Sequence, residues 1–190
     1  MIDLPIINIK CGDSDCANGR HAFNDRDYKR LGQGRHHLLA GACKSCGAAP
    51  VDFARTHERN EDDVEYLLEA LQFELIRYEF WNREFNETSL TRAKQLGKTK
   101  VYAQISSELE RIVGPVAEAG WAFKLVPTAP DKMTDVIQYA QHAVAACCRR
   151  CVQEWHGIPN DHALTKMEIR YLTSLVKRYL EERLPTSVPD

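Results

Sequence analysis

Apolar positions along this chain follow two patterns, and they change over near residue 60. In residues 2–9, IDLPIINI, apolar side chains run together with isoleucine recurring, which predicts a short strand. Pro5 restricts that strand to a sheet edge or an irregular path. Residues 17–37 are polar and rich in Gly, Asn, Asp, Arg and His, which predicts a long loop. Residues 38–42 then predict a second strand that runs into Cys43-Lys44-Ser45-Cys46-Gly47. From Asn60 onward the period is helical: Val64, Leu67, Leu68, Leu71, Leu75 and Ile76 share one face, and Asn60 is placed to cap it. One helix is expected from there to about Trp81. Others are expected over 89–97, over 103–113 with Gly114-Pro115 as the stop, and over 134–155, ending at His156-Gly157. The last starts at the capping box Thr165-x-x-Glu168 and ends at Pro185. The expected fold is mainly α: a zinc-ribbon-like β module over 1–58, a helical body of about five helices over 59–185, and a loose tail over 186–190.

Composition narrows the class without naming an activity. The chain has 190 residues, 44% of them hydrophobic, enough for one ordinary domain or a small one beside a larger one. A formal net charge of −2 gives no global drive toward nucleic acid or an anionic membrane, so either would need a local patch. No apolar run approaches the ~20 residues of a membrane-spanning helix. The opening MIDLPIINIKCG lacks the basic and apolar regions of a secretory signal. Seven cysteines, an odd number, with no secretory signal point to metal ligation or thiol reactivity in a reducing compartment, and the cytoplasm is the expected location.

Those cysteines form two bunches. Cys11-x4-Cys16 and Cys43-x2-Cys46 are two close pairs separated by a loop. Together they can supply the four soft ligands that a structural zinc ion prefers. Glycine directly after Cys46 suits a tight turn that aims backbone amides at the sulfurs. A loop-rich segment of this size buries too little apolar surface to fold alone, and four-thiolate zinc contributes ~10–16 kcal/mol in small peptides. His21, His36 and His37 can each replace a cysteine, although His36-His37 reads as a solvated pair and the set Cys11, Cys16, Cys43 and Cys46 is complete without them. A closed shell of this kind is structural rather than catalytic.

The second bunch, Cys147-Cys148-Arg149-Arg150-Cys151, falls inside the predicted helix, between His142 and His156. Cys147 and Cys148 are each one turn from Cys151. On a straight helix His142 points elsewhere, and His156 lies about 7.5 Å along the axis from Cys151. Four ligands therefore require a chain break near Trp155, where Gly157, Ile158 and Pro159 follow, or a ligand from His57 or the N-terminal loop. The alternative is close packing, with Ala143, Ala145, Ala146 and the cysteines as small buried side chains. Arg149 and Arg150 would then be exposed charges near a helix C-terminus.

The string from His142 to Pro159 (HAxAxCCRxCxxxWHGIP), with Leu164-Thr165-x-x-Glu168 after it, resembles a signature of bacterial and phage proteins that carry a domain of unknown function. Cys43-Lys44-Ser45-Cys46-Gly47, Pro50-Val51-Asp52, Thr56-His57-Glu58-Arg59, Glu74-Leu75-Ile76-Arg77 and Phe80-Trp81 are similar to longer members, so the likeness spans most of the chain. It implies that both cysteine bunches belong to one design, and favours a second metal site at His142, Cys148, Cys151 and His156 over packing alone. It implies no activity.

Arg92, Lys94, Lys98 and Lys100 make one basic cluster, and Arg30, Arg35, His36 and His37 make another. Either can contact phosphates, or simply be solvated. Phosphate-loop, nucleophile-elbow and HExxH motifs are absent. The aromatics Phe73, Tyr78, Phe80 and Trp81 are expected in the core, and His57 as a surface or capping residue. The expected function is a zinc-binding adaptor, or a nucleic-acid-associated protein, whose zinc is structural. The competing expectation is a metal- or thiol-dependent enzyme using the second bunch. Zn2+ is the expected cofactor, with an iron–sulfur cluster as the weaker alternative.

Overall fold

The computed structural model describes residues 9–23, 41–116 and 126–190, and these hold eight α-helices. They are α1 (Phe53–His57), α2 (Val64–Leu71), α3 (Leu75–Asn82), α4 (Glu87–Leu96), α5 (Lys98–Ile112), α6 (Val136–Ala143), α7 (Arg149–His156) and α8 (Lys166–Arg183). The expected strands over 2–9 and 38–42 fall almost wholly outside the described residues. Among those described there is no β ribbon, only two isolated bridges, Asp15 with Arg20 and His21 with Glu74. No helix of the described residues is long and apolar enough to cross a membrane.

Local signals set many of the helix ends. The Asn60 side chain accepts from Asp62 N, Asn86 caps α4 through Ser89 N, and Thr165 and Glu168 form the reciprocal box at α8. α3 packs on α6, α6 and α5 on α8, α4 on α5, and α1 on α7. Ile76, Ile105, Leu109, Tyr139, Leu172 and Tyr179 are fully buried between these layers. The last residues also pack: Val188 is buried, and Lys98 N donates to Pro189 O at 2.7 Å.

Two helices expected to be continuous are broken, and each break has a tertiary cause. The helix over 60–81 divides at 72–74 because His21 pairs there: His21 N donates to Phe73 O (2.6 Å), and Leu75 N donates to His21 O (3.0 Å). Phe73 is left exposed at this break rather than buried, and Tyr78 lies under the Arg20 guanidinium, while Phe80 and Trp81 are buried as expected. The helix over 134–155 divides at residues 144–148, where Ala145 has φ +56°. Side chains satisfy the carbonyls this break releases. Arg77 Nη1 donates to His142 O (2.7 Å), and His156 Nε2 donates to Val144 O (3.0 Å).

α7 stops where expected, at His156, with Gly157 left-handed at φ +60°. A Cβ on Gly157 would lie 2.7 Å from Cγ of His57, whose ring Nε2 donates to Glu154 O (2.8 Å). Gly157→Ala is therefore expected to cost about 1–2 kcal/mol for the left-handed backbone alone. Moving His57 adds to this, and the effect reads out as a melting temperature lower by several degrees.

Candidate metal centres

The first centre is built from two short turns. Residues Cys16–Asn18 form a single 3-10 turn, closed by left-handed Gly19 and by the Asp15–Arg20 bridge. In the second turn Gly47 N donates to Cys43 O (2.7 Å), Cys43 N donates to Ala48 O (2.6 Å), and Gly47 adopts φ +78°. The glycine thus does the work expected of it. The ligand atoms of Cys16, His21, Cys43 and Cys46 all lie within 4.8 Å of one another. Cys16 Sγ is 3.7 Å from Cys43 Sγ, and Cys46 Sγ is 3.5 Å from His21 Nδ1. One tetrahedral zinc ion, with bonds of about 2.3 Å to sulfur and 2.05 Å to nitrogen, sets sulfurs about 3.8 Å apart and sulfur from nitrogen about 3.5 Å apart. The donor set and its spacing fit such an ion.

Electrostatics within this set are uneven. Burial works against a Cys43 thiolate. The backbone N–H groups of Ala22, Cys46 and Ser45, with the His21 ring, nonetheless hold it down to about 6. Burial pushes the Cys16 thiol up to about 11.

Of the expected quartet, Cys16, Cys43 and Cys46 gather with His21, whereas Cys11 lies with other thiols. The Asp15–Arg20 pairing reverses the chain, and the His21–Phe73 and His21–Leu75 bonds anchor the histidine beside Cys46. The sequence names His21 as able to replace a cysteine, but two complete thiol pairs make it look unnecessary.

Cys11 instead joins Cys147 and Cys151, the three sulfurs lying within 4.8 Å of one another and all buried. Cys147 Sγ and Cys148 Sγ are each 3.5 Å from Cys151 Sγ. The break before α7 makes this grouping: Cys148 is the N-cap of α7, so the thiols meet a helix N-terminus, not the C-terminus expected. Hydrogen bonds from Cys147 and Cys151 lower the Cys148 thiol to about 3. Arg77, with no exposed surface, reaches into the group. Its Nη2 donates to Cys151 Sγ (3.0 Å), its Nη1 to Cys147 Sγ (3.6 Å), and its Nε to Glu74 Oε2 (3.0 Å), which also accepts from Trp155 Nε1 (2.6 Å). Sequence reasoning reaches Glu74 and Arg77 only as part of the string that carries the family resemblance, and assigns neither a role.

His142 and His156 are buried but engaged away from the thiols. His142 stacks on Phe80 and its Nε2 donates to Pro127 O (3.0 Å). His156 spans Tyr171 Oη (3.1 Å) and Val144 O (3.0 Å). Arg149 is buried as well, donating to Pro159 O and His162 O, whereas Arg150 is exposed as expected. Burial, with Arg77 nearby, holds the His142 ring down at about 4 and the His156 ring at about 3. In the unfolded chain both take up protons near pH 6.5. Stability is therefore full above that pH and falls as pH drops from 6.5 toward 4 and 3, by about 1.4 kcal/mol per unit for each ring. At pH 5.5 the pair is expected to cost roughly 3 kcal/mol, measured as a lower urea midpoint than at pH 7. His156→Gln, which keeps a donor for Val144 O, should remove about half of that pH dependence.

The basic cluster on α4 and α5 is partly neutralised: Arg92 pairs with Asp135 (2.9 Å) and Lys98 with Asp190 (3.3 Å). The cluster of Arg30, Arg35, His36 and His37 lies outside the described residues. A cavity of about 150 Å³ beside Arg92 is lined by both signs of charge, including Glu108, Arg111 and Asp135, and by none of the cysteines.

The family model for a domain of unknown function, DUF4186, matches residues 65–181. The matched stretch contains Arg77, Cys147, Cys148 and Cys151, and excludes Cys11 and every residue of the first centre. No solved structure matches this chain.

Proposed function

The chain belongs to the DUF4186 family, and on that footing we propose that it is a zinc-binding adaptor whose first ion is structural. The single observation behind this reading is the mutual closeness of Cys16, His21, Cys43 and Cys46 at the spacing of one tetrahedral ion. Three thiolates and an imidazole suit zinc. Thiolates of a multi-iron cluster bind different irons and stand farther apart, which argues against an iron–sulfur centre here. Four protein ligands leave no coordination position for a substrate. The ion's role is then to hold the N-terminal metal module, residues 1–58, on the helical domain over 59–185, so that together they present a surface to a partner. Such thiolates persist in a reducing compartment such as the cytoplasm. A protein partner is favoured over nucleic acid, because Asp135 and Asp190 already occupy two of the four clustered basic side chains.

Elemental analysis of the purified protein tests this: stoichiometric zinc supports the reading and its absence removes it. A salt-sensitive mobility shift with duplex or single-stranded probes would transfer the role to nucleic acid.

A specific observation favours one second reading, a thiol-dependent enzyme acting through Cys148. That thiol is half-buried, held well below the ordinary thiol range, and set at the N-terminus of α7. Rapid iodoacetamide labelling of Cys148 in the metal-loaded protein would support it, and protection would count against it.

A further inference from the structure

We propose a second mononuclear zinc centre, formed by Cys11, Cys147, Cys148 and Cys151, in which the N-terminal segment completes a site that the DUF4186 domain carries only in part. The ligand set differs from the one expected for this region. It takes no histidine, and it draws Cys11 from outside the matched domain.

Three observations converge on it. The first is spacing. The Cys11, Cys147 and Cys151 sulfurs lie within 4.8 Å of one another, and Cys148, outside that mutual group, stands 3.5 Å from Cys151, as Cys147 does, against the edge of about 3.8 Å for thiolates around one zinc ion. A disulfide holds its sulfurs about 2.05 Å apart, so these pairs are not disulfides. The second is the direction of a buried charge. Arg77 has no exposed surface, yet directs one guanidinium nitrogen at Cys151 Sγ and another toward Cys147 Sγ. Neutral thiols are poor acceptors for a desolvated cation, whereas metal-bound thiolates are charged and accept well. Zinc with four thiolates carries two net negative charges. The guanidinium and the N-terminal end of α7 lie where they offset part of that charge. The third is topology. Cys147 and Cys148 precede α7 and Cys151 lies in its first turn, so the break at 144–148 is what lets three near neighbours converge. The fourth ligand arrives from the N-terminal segment, the kind of import that helix geometry requires.

Two ions then secure the same stretch of chain. Cys11 and Cys16 are five residues apart and serve different centres, one inside the helical body and one at its edge.

Cobalt(II) is a suitable probe, because its ligand-field and thiolate-to-metal bands separate a four-sulfur site from one with three sulfurs and a nitrogen. The full chain, stripped of metal and titrated anaerobically, should bind two ions with both spectral components. Cys11→Ser should bind one, keeping only the sulfur–nitrogen spectrum. If Cys11→Ser fails to fold, Cys148→Ser decides the matter: serine is a favoured N-cap, so α7 is preserved while the second ion is lost. His21→Ala should do the reverse, and retention of the four-sulfur spectrum there separates failure of the first centre from failure of the second. One ion in the unaltered chain, or two in Cys148→Ser, overturns the proposal.

Discussion

Replacing Cys43 with serine is expected to lower bound zinc by at least one ion per chain and to release the N-terminal segment while the helices remain. Cys43 is fully buried, lies 3.7 Å from Cys16 Sγ, and accepts a backbone bond from Ala22 N at 3.5 Å. It therefore joins the two turns besides offering a ligand to the proposed ion. Zinc sites of this class contribute ~10–16 kcal/mol in isolated peptides, far more than the local apolar contacts can replace. The body has its own core in Leu71, Ile105, Leu109, Leu172 and Tyr179, so the far-ultraviolet dichroism should hardly change. Limited proteolysis should instead cut rapidly within the first 52 residues. Phe23, which packs edge-on to both Phe53 and Trp155, should leave with the segment and shift the tryptophan emission. Full zinc content with an unchanged melting curve would remove the first centre from this account.

Arg77→Met is expected to be the most damaging substitution within the body, at about 3–5 kcal/mol, because it breaks a buried pair by deleting one partner. Arg77 and Glu74 have no exposed side-chain surface and meet at 3.0 Å. Burial already pushes the Glu74 carboxyl up from its usual range, with Arg77 opposing that shift. Without the guanidinium, Glu74 keeps only Trp155, and His142 O loses the donor that stabilises the break after α6. At about 2–4 °C per kcal/mol for a chain of this size, the melting temperature should fall by roughly 10 °C. Arg77→Lys should recover only part of the loss, since an ammonium cannot reach Glu74, His142 O and Cys151 together. Removing both charges in Glu74→Gln/Arg77→Met should cost less than Arg77→Met alone. A loss below about 1 kcal/mol in Arg77→Met would show that the pair carries little of the stability.

What could be read without coordinates was local chemistry. The Thr165–Glu168 box, the Asn60 cap, the stops near Gly97 and Gly114, the end of α7 at Gly157 and the turn glycine after Cys46 depend on a few neighbouring residues, and each appears where expected. That the cysteines fall into close pairs able to serve metals was equally legible, because spacing alone carries it. Which of them gather together was not. His21 stands with Cys16, Cys43 and Cys46, and Cys11 with Cys147 and Cys151, because the Asp15–Arg20 turn and the bonds from His21 to Phe73 and Leu75 place the chain, and no spacing rule contains those partners. The two helix breaks have the same origin. Apolar period is continuous through 72–74 and through 144–148, but His21, Arg77 and His156 supply hydrogen bonds from distant positions that compensate for an interrupted helix. Periodicity reports which face is buried. Only tertiary structure decides where a backbone finds better partners than its own next turn, and here that decision brings Cys11, Cys147 and Cys151 together.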